Sequence, residues 1–237
     1  MTSRIDVALR PKDARELGAE CFVVIDLFLA TTTIATLFSR GMEKLTVTAS
    51  VEEARRIAER DGAILLGEAG GLPPEGFDYG NSPVEVKDVD FAGKEGVFVS
   101  TNGSVAICAV ADIGPVVVGG VININAIVDE FSRYDHAAVV CAGGAAGERL
   151  SFDDLGGAGA VVTRMREQFP GIAVGDAARL ASIAWKDGGP GMLKATELAA
   201  FARSIGLEED LDFSLQPSTV SALPRVTVAG EGWAELR

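Results

Sequence analysis

The sequence predicts an α/β protein with three layers, in which helices cover both faces of a largely parallel or mixed central sheet. Short apolar runs alternate with segments of helical spacing along most of the 237 residues. Hydrophobic residues make up 48% of the chain and aromatic residues only 6%, so its core consists mainly of aliphatic side chains. No stretch rich in Pro, Ser or charge separates two parts of the chain. We therefore expect a single domain over residues 1–237.

A unit of strand, turn and helix occurs three times along the chain. The apolar runs CFVVIDLF, EGVFVS and AAVVCA are each followed by helical spacing, in LATTTIATLFSRG, TNGSVAICAVADIG and GGAAGERLSFDDLGGAGAVVTRMREQF. Further strands are predicted in KLTVTA, AILLG and GPVVVGG. The segment SVEEARRIAERDG predicts an amphipathic helix, in which Ser50 and Glu53 form a capping box. The last third is predicted to be mostly helical from about Gly171 to Leu215.

The segment LPRVTVAG near the carboxyl terminus predicts a closing edge strand. Pro224 lacks the N–H group that a central strand needs, so it fits only an edge strand or the start of a strand.

Composition excludes several classes of protein. The net charge of −13 argues against nucleic-acid binding, which requires a basic surface. No apolar run approaches the roughly 18–20 residues that span a bilayer, and the amino terminus lacks the apolar segment of a signal peptide. We therefore expect a cytoplasmic protein without membrane contact. The three cysteines (Cys21, Cys108 and Cys141) lie in apolar segments and predict neither a disulfide framework nor a metal knuckle.

A long loop follows the predicted strand AILL. The stretch GEAGGLPPEGFDYGNSP, Gly67 to Pro83, holds five glycines, three prolines and three carboxylates in 17 residues. Loops of this length are usually functional or disordered. The interleaved Leu72, Phe77 and Tyr79 argue against disorder, so we interpret the stretch as a site loop.

Three turns between a strand and a helix carry small residues. They contain ATTT, STNGS and AGGAAG, and free N–H groups at such helix starts can bind anions. In open α/β sheets, ligands bind at the carboxyl ends of the strands. Hydroxyl residues at helix starts also serve as simple N-caps, so both interpretations stay open.

The sequence does not match the motifs of four common types of catalytic or binding site. GGAAGERLS has no lysine where a Walker A loop needs one. The position six residues after Cys141 is Gly147 and not the arginine of a cysteine phosphatase, so we interpret Cys141 as a buried strand residue. Phe28 stands two residues after Asp26, where a haloacid-dehalogenase-type site needs a second aspartate. A single histidine, His136, argues against zinc.

Five ordered blocks resemble the ComB family, the 2-phosphosulfolactate phosphatases of coenzyme M biosynthesis. The segment VVIDLFLATTTIAT is similar to that family's DVLRATTT, and STNGSVAI and NINA to its TTNGTxA and NxxA. CAGGAAGERLSFDDLGGAG resembles CAGxxGxxSxEDxxxAG. The long loop resembles GE…P.GFDxGNSPxE through Gly67, Glu68, Gly76, Phe77, Asp78, Gly80, Asn81, Ser82, Pro83 and Glu85. The resemblance extends from about Cys21 to Pro224 and implies Mg²⁺-dependent hydrolysis of a phosphate monoester on a small 2-hydroxy acid.

The resemblance also implies a set of site residues. The implied catalytic carboxylates are Asp26, Glu68 and Asp78, and the implied metal ligands are Asp26, Glu68 and Asp154. The implied substrate-binding residues are Thr31, Thr32, Thr33, Asn81, Ser82, Thr101, Asn102, Gly103, Ser104, Gly143 and Gly144. A bound Mg²⁺ would let so acidic a chain accept a small phosphorylated organic acid. We expect a homodimer only as the common default.

Structural interpretations of the same residues stay open. Asp26 would serve equally as a cap of the helix that begins near Thr31, and Glu68 and Asp78 as loop charges held by the loop's own amides. Asn102 and Gly103 are typical of a tight turn. Asp153 and Asp154, close after Ser151, are typical of a helix start, where carboxylates are favourable for dipole reasons alone.

One position departs from the family pattern. The arginine of the family's LRATTT falls on Leu29, which offers no charge and no hydrogen-bond donor. Three explanations stay open. The arginine serves the sulfonate, so that this chain hydrolyses a different phosphate ester; another cation such as Arg40, Arg149 or Lys94 replaces it; or the chain is a catalytically impaired homologue that only binds small anions. The choice between a water nucleophile and Asp26 itself also stays open.

Overall fold

The computed structural model describes residues 2–237 and confirms the α/β class. Ten strands form at Arg4–Ala8 (β1), Cys21–Ile25 (β2), Lys44–Thr48 (β3), Ile64–Gly67 (β4), Glu95–Val99 (β5), Val116–Val118 (β6), His136–Cys141 (β7), Ala173–Val174 (β8), Val226–Gly230 (β9) and Trp233–Leu236 (β10). The α-helices are Ala30–Ser39 (α1), Val51–Asp61 (α2), Pro83–Val86 (α3), Gly103–Val110 (α4), Ile124–Phe131 (α5), Phe152–Gln168 (α6), Asp176–Ile183 (α7), Gly189–Leu193 (α8), Glu197–Ser204 (α9) and Glu208–Ser214 (α10). The predicted strands and helices therefore form where the apolar runs and helical spacing place them.

The strands lie in two five-stranded sheets, whereas the sequence predicts one central sheet. The first sheet has the order β6-β2-β7-β1-β8, and all of its strands are parallel. The second sheet has the order β4-β5-β3-β10-β9. Its first three strands are parallel, and the hairpin of β9 and β10 adds to them in the antiparallel sense. Both sheets have the buried apolar strands that favour helical coverage, so the sequence pattern does not distinguish one sheet from two.

Helices fill the space between and around the two sheets. Helices α1 and α4 pack between the sheets, in a core that joins Val24 and Val140 of the first sheet to Val47 and Phe98 of the second. Helices α5, α6 and α7 belong to a second core on the outer face of the first sheet, and α2 covers the outer face of the second. The chain is thus layered as helix, sheet, helix, sheet, helix.

Two sequence details can be checked directly. The hydroxyl of Ser50 accepts a hydrogen bond from the Glu53 amide at 3.2 Å and caps α2, as predicted. The reciprocal half of the capping box does not form, because the Glu53 carboxylate pairs with Arg56. The predicted closing strand is β9, which lies at the edge of the second sheet and begins just after Pro224.

Within residues 2–237 no helix combines the length and apolar character needed to cross a bilayer.

Candidate active site

The carboxyl ends of four parallel strands, two from each sheet, converge on one region of the molecule. Asp26 follows β2, and Gly143 follows β7 by way of Ala142. Glu68 follows β4, and Thr101 lies just beyond β5. Because the two sheets face each other across α1 and α4, their strand ends contribute to the same site. This is the position in which α/β proteins usually bind ligands.

Two cavities open at this point. The larger has a volume of about 630 Å³ and is lined by Asp26, Asn102, Gly143, Gly144, Ala145, Arg149, Leu150, Ser151, Phe152, Asp153, Asp154, Met192, Ala195, Thr196, Glu197 and Leu198. The smaller, of about 220 Å³, is lined by Asp26, Phe28, Leu29, Glu68, Gly70, Gly71, Asn81, Thr101, Asn102, Leu198, Phe201 and Ala202. Asp26, Asn102 and Leu198 line both, so the two cavities adjoin.

Asp26 is the central acid of this region. It is 7% exposed, and burial raises the pKa of its carboxyl group well above the ordinary value. The charges of Asp153 and Glu68 raise this pKa further, while a hydrogen bond from the Gly103 backbone opposes the shift. Leu29, and not Asp26, is the N-cap residue of α1, and no side chain caps that helix. Capping of α1 is therefore not the role of the Asp26 carboxylate.

One carboxylate oxygen of Asp153 has no hydrogen-bond partner. The Ser151 hydroxyl donates to Oδ1 at 2.6 Å, whereas Oδ2 is buried without a hydrogen-bond partner. Burial also raises the pKa of the Asp153 carboxyl group. A buried carboxylate oxygen without a donor is costly unless a cation or a proton satisfies it.

Asp26 and Asp153 are the two side chains of this region that could hold a cation. Mg²⁺ is usually held by one or two carboxylates, with water and phosphate oxygens in the other positions. Among residues 2–237 no group of three or more His, Cys, Asp and Glu side chains is placed to hold a metal. The unpaired oxygen of Asp153 and the position of Asp26 on the same cavity make this pair the candidate ligands, whereas the family resemblance implies Asp26, Glu68 and Asp154.

Asp154 fastens two turns to each other. Its Oδ1 accepts a hydrogen bond from the Leu27 amide and its Oδ2 one from the Gly143 amide, both at 2.8 Å. Burial, together with the charges of Asp153 and Asp26, raises the pKa of its carboxyl group. Asp154 thus holds the β2–α1 turn against the β7–α6 turn, with both oxygens already bound to backbone amides.

Glu68 plays a similar part in the second sheet. Its Oε1 accepts from the Thr101 amide at 2.5 Å, and its Oε2 accepts from the Thr101 hydroxyl at 2.9 Å and the Gly71 amide at 2.7 Å. Its carboxylate therefore ties the start of the long loop to the end of β5. This geometry agrees with the interpretation of Glu68 as a loop charge held by backbone amides, at the edge of the smaller cavity.

We expect Glu68→Ala to destabilise the protein by about 2–4 kcal/mol, because it removes three hydrogen bonds to a buried carboxylate, two of them from the Thr101 and Gly71 amides. The melting temperature should fall by about 5–10 °C in a calorimetric scan. Glu75→Ala, an exposed carboxylate in the same loop, is the matched control and should melt like the parent protein. Equal melting of the two variants would contradict the assigned role of Glu68.

The other predicted loop residues separate into two groups. Asp78 is exposed, lies outside both cavities and accepts a hydrogen bond from the Leu65 amide at 2.8 Å. The Ser82 hydroxyl caps α3 and donates to Asp210 at 2.6 Å. Both residues anchor the loop. Asn81 does line the smaller cavity, where its Oδ1 is buried without a partner.

The three threonines lie beneath the site and do not line it. The Thr31 hydroxyl donates to the Asp26 carbonyl at 2.9 Å and accepts from the Asp26 amide at 3.1 Å. The Thr32 hydroxyl donates to the Leu27 carbonyl at 2.9 Å, and the buried Thr33 hydroxyl has no partner. Thr31 and Thr32 thus fix the backbone that presents Asp26.

The β5–α4 turn approaches Asp26 closely. A Cβ atom on Gly103 would lie 2.9 Å from Asp26 Oδ2 and 2.6 Å from the Ala30 side chain, so only glycine fits there. Asn102 lines both cavities, and its Oδ1 accepts from the Ala146 amide at 3.0 Å. Ser104 bonds to Ser100 and lies buried beneath this turn. Gly143 and Gly144 line the larger cavity as predicted for substrate-binding residues.

Of the three cations considered as substitutes for the arginine that the family pattern places at Leu29, Arg149 is the one that lines a cavity. Arg40 lies at the other end of α1, where its Nε donates to the Val89 carbonyl. Lys94 is exposed in the segment before β5. Cys141 is fully buried at the end of β7, and burial raises the pKa of its thiol, as expected of a strand residue without a nucleophilic role.

Sequence reasoning missed the contribution of the carboxyl-terminal helices. Leu198, Phe201 and Ala202 of α9 form one wall of the smaller cavity. Their spacing is that of an ordinary apolar helix face, which predicts packing against a core. For Asp153 the sequence predicts only a charge typical of a helix start.

Comparison with known proteins identifies the same family that the sequence motifs resemble. A family model described as 2-phosphosulpholactate phosphatase matches residues 8–228. A probable 2-phosphosulfolactate phosphatase of Deinococcus radiodurans is 36% identical over 208 residues, which cover 85% of each chain. One of Thermus thermophilus is 35% identical over 85% of this chain and 86% of its own, and one of Clostridium acetobutylicum is 28% identical over 94% and 97%. These matches confirm the resemblance and the enzyme class it implies, a phosphoric monoester hydrolase.

Proposed function

We propose, because this chain belongs to the 2-phosphosulfolactate phosphatase family, that it is a Mg²⁺-dependent phosphatase. Its substrate would be the phosphate monoester of a small 2-hydroxy acid, either 2-phosphosulfolactate or a close analogue. The observation that carries the proposal is the pair of buried carboxylates, Asp26 and Asp153, on the wall of a cavity that also holds Arg149.

The carboxylate pair accounts for the need for a cation. Asp26 and Asp153 would hold Mg²⁺, and the buried Oδ2 of Asp153, which lacks a hydrogen-bond partner, supports this assignment. When bound, the ion would neutralise the two carboxylates and withdraw charge from the phosphoryl oxygens.

Asp26 is suited to accept a proton from the attacking water. Its carboxylate lines both cavities, so it lies where the phosphoryl group and the attacking water would meet. The water oxygen bonds to phosphorus as Asp26 takes up the proton. The bond from phosphorus to the ester oxygen breaks, and that oxygen takes up the proton that Asp26 received and leaves as the alcohol. The overall reaction consumes one water and releases the hydroxy acid and inorganic phosphate.

Arg149 is the cation that would hold the phosphate. Its guanidinium can donate two parallel hydrogen bonds to a phosphoryl group, an arrangement that fixes orientation as well as charge. Arg149 lies in the β7–α6 turn and lines the same cavity as Asp153. It is therefore placed to offset the negative charge of the substrate in an otherwise acidic cavity.

Arg149→Ala should raise KM by about 10²-fold or more, because a charge-assisted contact with the phosphate is lost. Arg149→Lys should recover part of the affinity, since it restores the charge without the bidentate geometry. The measurement is steady-state phosphate release. Arg15→Ala, an exposed arginine outside both cavities, serves as the control and should keep the KM of the parent. An unchanged KM in Arg149→Ala would remove this residue from the site.

Phosphate release from a panel of esters, with Mg²⁺ and then with excess EDTA, tests the proposal. We expect release with Mg²⁺, loss with EDTA and recovery on re-addition of the metal. Full activity in EDTA would contradict the metal dependence. No release from any ester, with a melting temperature that rises in inorganic phosphate, would instead identify an anion-binding homologue.

A further inference from the structure

The smaller cavity, which we call the chamber, has largely apolar walls and adjoins the polar larger cavity. Phe28 and Leu29 from the β2–α1 turn line it, together with Leu198, Phe201 and Ala202 from α9. Its polar lining residues (Asp26, Glu68, Asn81, Thr101 and Asn102) include two acids, and within the described chain no Lys or Arg lines it. The chamber therefore combines apolar walls with a negative local charge.

The chamber is continuous with the larger cavity at the reacting carboxylate. Asp26, Asn102 and Leu198 belong to the walls of both. A phosphoryl group held near Asp26 and Arg149 in the larger cavity would place the rest of its molecule within reach of the smaller one. The chamber is thus positioned to receive the part of the substrate that is not phosphate.

Two features indicate that the walls of the chamber are held in a defined conformation. A Cβ atom on Gly71 would lie 2.5 Å from Cε1 of Phe201, so the long loop packs directly on the aromatic ring at the chamber wall. Leu29 has a φ of 105°, a backbone conformation that residues other than glycine rarely adopt. Such conformations occur where the surrounding structure holds them, often at ligand sites.

We propose that this chamber selects the substrate, and that the chain hydrolyses phosphate esters of 2-hydroxy acids whose side chain is a short, uncharged hydrocarbon. The inference rests on the proposed phosphatase function and narrows it. A side chain of this class places methyl and methylene groups against the apolar walls of the chamber. A sulfonate in the same place is unfavourable.

Charge and solvation both favour this occupant. A sulfonate in the chamber would lose its hydration and lie near Glu68, without a Lys or Arg among the lining residues. A hydrocarbon gains from burial, by about fourfold in affinity for each methylene removed from water. With about 30 Å³ for each water-sized group, 220 Å³ holds a side chain of several carbons.

Asn81 adds a polar contact at the chamber wall. It is 8% exposed, and its Oδ1 has no hydrogen-bond partner among the described residues. An amide in this position can hydrogen-bond the polar backbone of the hydroxy acid while the hydrocarbon enters the apolar part.

The test is kcat/KM for a matched series of phosphate esters. The series contains the esters of lactate, 2-hydroxybutyrate, 2-hydroxyvalerate and 3-sulfolactate, measured with Mg²⁺. We expect kcat/KM to rise by about fourfold for each added methylene until the chamber is full. The sulfolactate ester should fall at least about 10²-fold below the best hydrocarbon ester, as expected for an unpaired charge in an apolar site.

Leu29→Arg tests the chamber wall itself. The arginine would bring a cation to the chamber and shift the ratio of sulfolactate to hydroxybutyrate ester toward the sulfonate by at least about tenfold. Leu29→Met is the control, because methionine must adopt the same positive φ at this position as leucine or arginine. It should leave the ranking of the esters by kcat/KM as in the parent. If Leu29→Arg fails to fold, Phe201→Ala replaces it. Removal of the half-exposed ring should flatten the dependence on chain length.

Each outcome of the series has one meaning. A rise with chain length and a weak sulfonate ester support the inference. Hydrolysis that favours the sulfonate, or that is indifferent to chain length, overturns the inference and leaves the phosphatase function standing. No hydrolysis of any ester overturns the proposed function and this inference with it.

Discussion

Asp26→Asn should lower kcat/KM for phosphate release by about 10³-fold or more while leaving the fold intact. The substitution keeps the size of the side chain but removes both the proton acceptor and a negative charge that a cation needs, each of which contributes about 10²-fold or more. The measurement is steady-state phosphate release in Mg²⁺, with a melting curve to show that the variant is folded. Metal-free Asp26→Asn should melt no lower than the parent, because it removes a buried charge.

The control for this variant is Asp78→Asn, the same substitution at an exposed aspartate outside both cavities. It should keep kcat/KM within about threefold of the parent and change stability only slightly, since its carboxylate accepts one amide on the surface. A loss of activity in Asp78→Asn as large as in Asp26→Asn would mean that the long loop reaches the reacting atoms.

Asp153→Asn should lower activity while raising the stability of the metal-free protein. Activity should fall by about 10²–10³-fold, because a proposed metal ligand loses its charge. The metal-free protein should gain about 1 kcal/mol, or about 2–4 °C in melting temperature, since a buried carboxylate without a partner on Oδ2 is replaced by a neutral amide. A fall in both quantities would contradict the role assigned to Asp153.

The stability gain in Asp153→Asn should depend on pH in a defined direction. Burial raises the pKa of Asp153 in the folded state above its unfolded value. The folded protein therefore binds this proton more tightly, and the contribution to stability is present below the unfolded pKa and lost as pH rises through the folded one. The advantage of Asp153→Asn over the parent should be small near pH 4 and grow toward neutral pH in metal-free buffer. Added Mg²⁺ should stabilise the parent and not the variant.

The sequence predicts much of the fold, because strands and helices depend on local patterns. The runs CFVVIDLF, AILLG and EGVFVS mark β2, β4 and β5, and the residues that follow them lie at the site. The division into two sheets is not predictable in this way. Pairing of β3 with β5 and with the terminal β10 depends on contacts between segments far apart in the chain.

The sequence pattern also cannot predict the different roles of two adjacent carboxylates. Asp153 and Asp154 have the same chemistry and the same place at the start of α6. Asp154 meets the amides of Leu27 and Gly143, whereas Asp153 keeps one oxygen free. Which of two neighbours meets a distant amide is decided by the direction of each side chain around the helix. For the same reason, the apolar face of α9 gave no sign that it borders a cavity.

The most direct test of the account is a crystal structure of the protein soaked with Mn²⁺ in place of Mg²⁺, analysed by anomalous diffraction at the manganese edge. We expect one strong peak coordinated by the carboxylates of Asp26 and Asp153, in the cavity lined by Arg149. A peak held by Glu68 and Asp154 without Asp153, or no peak at all in crystals of an enzyme whose activity requires the metal, would contradict it.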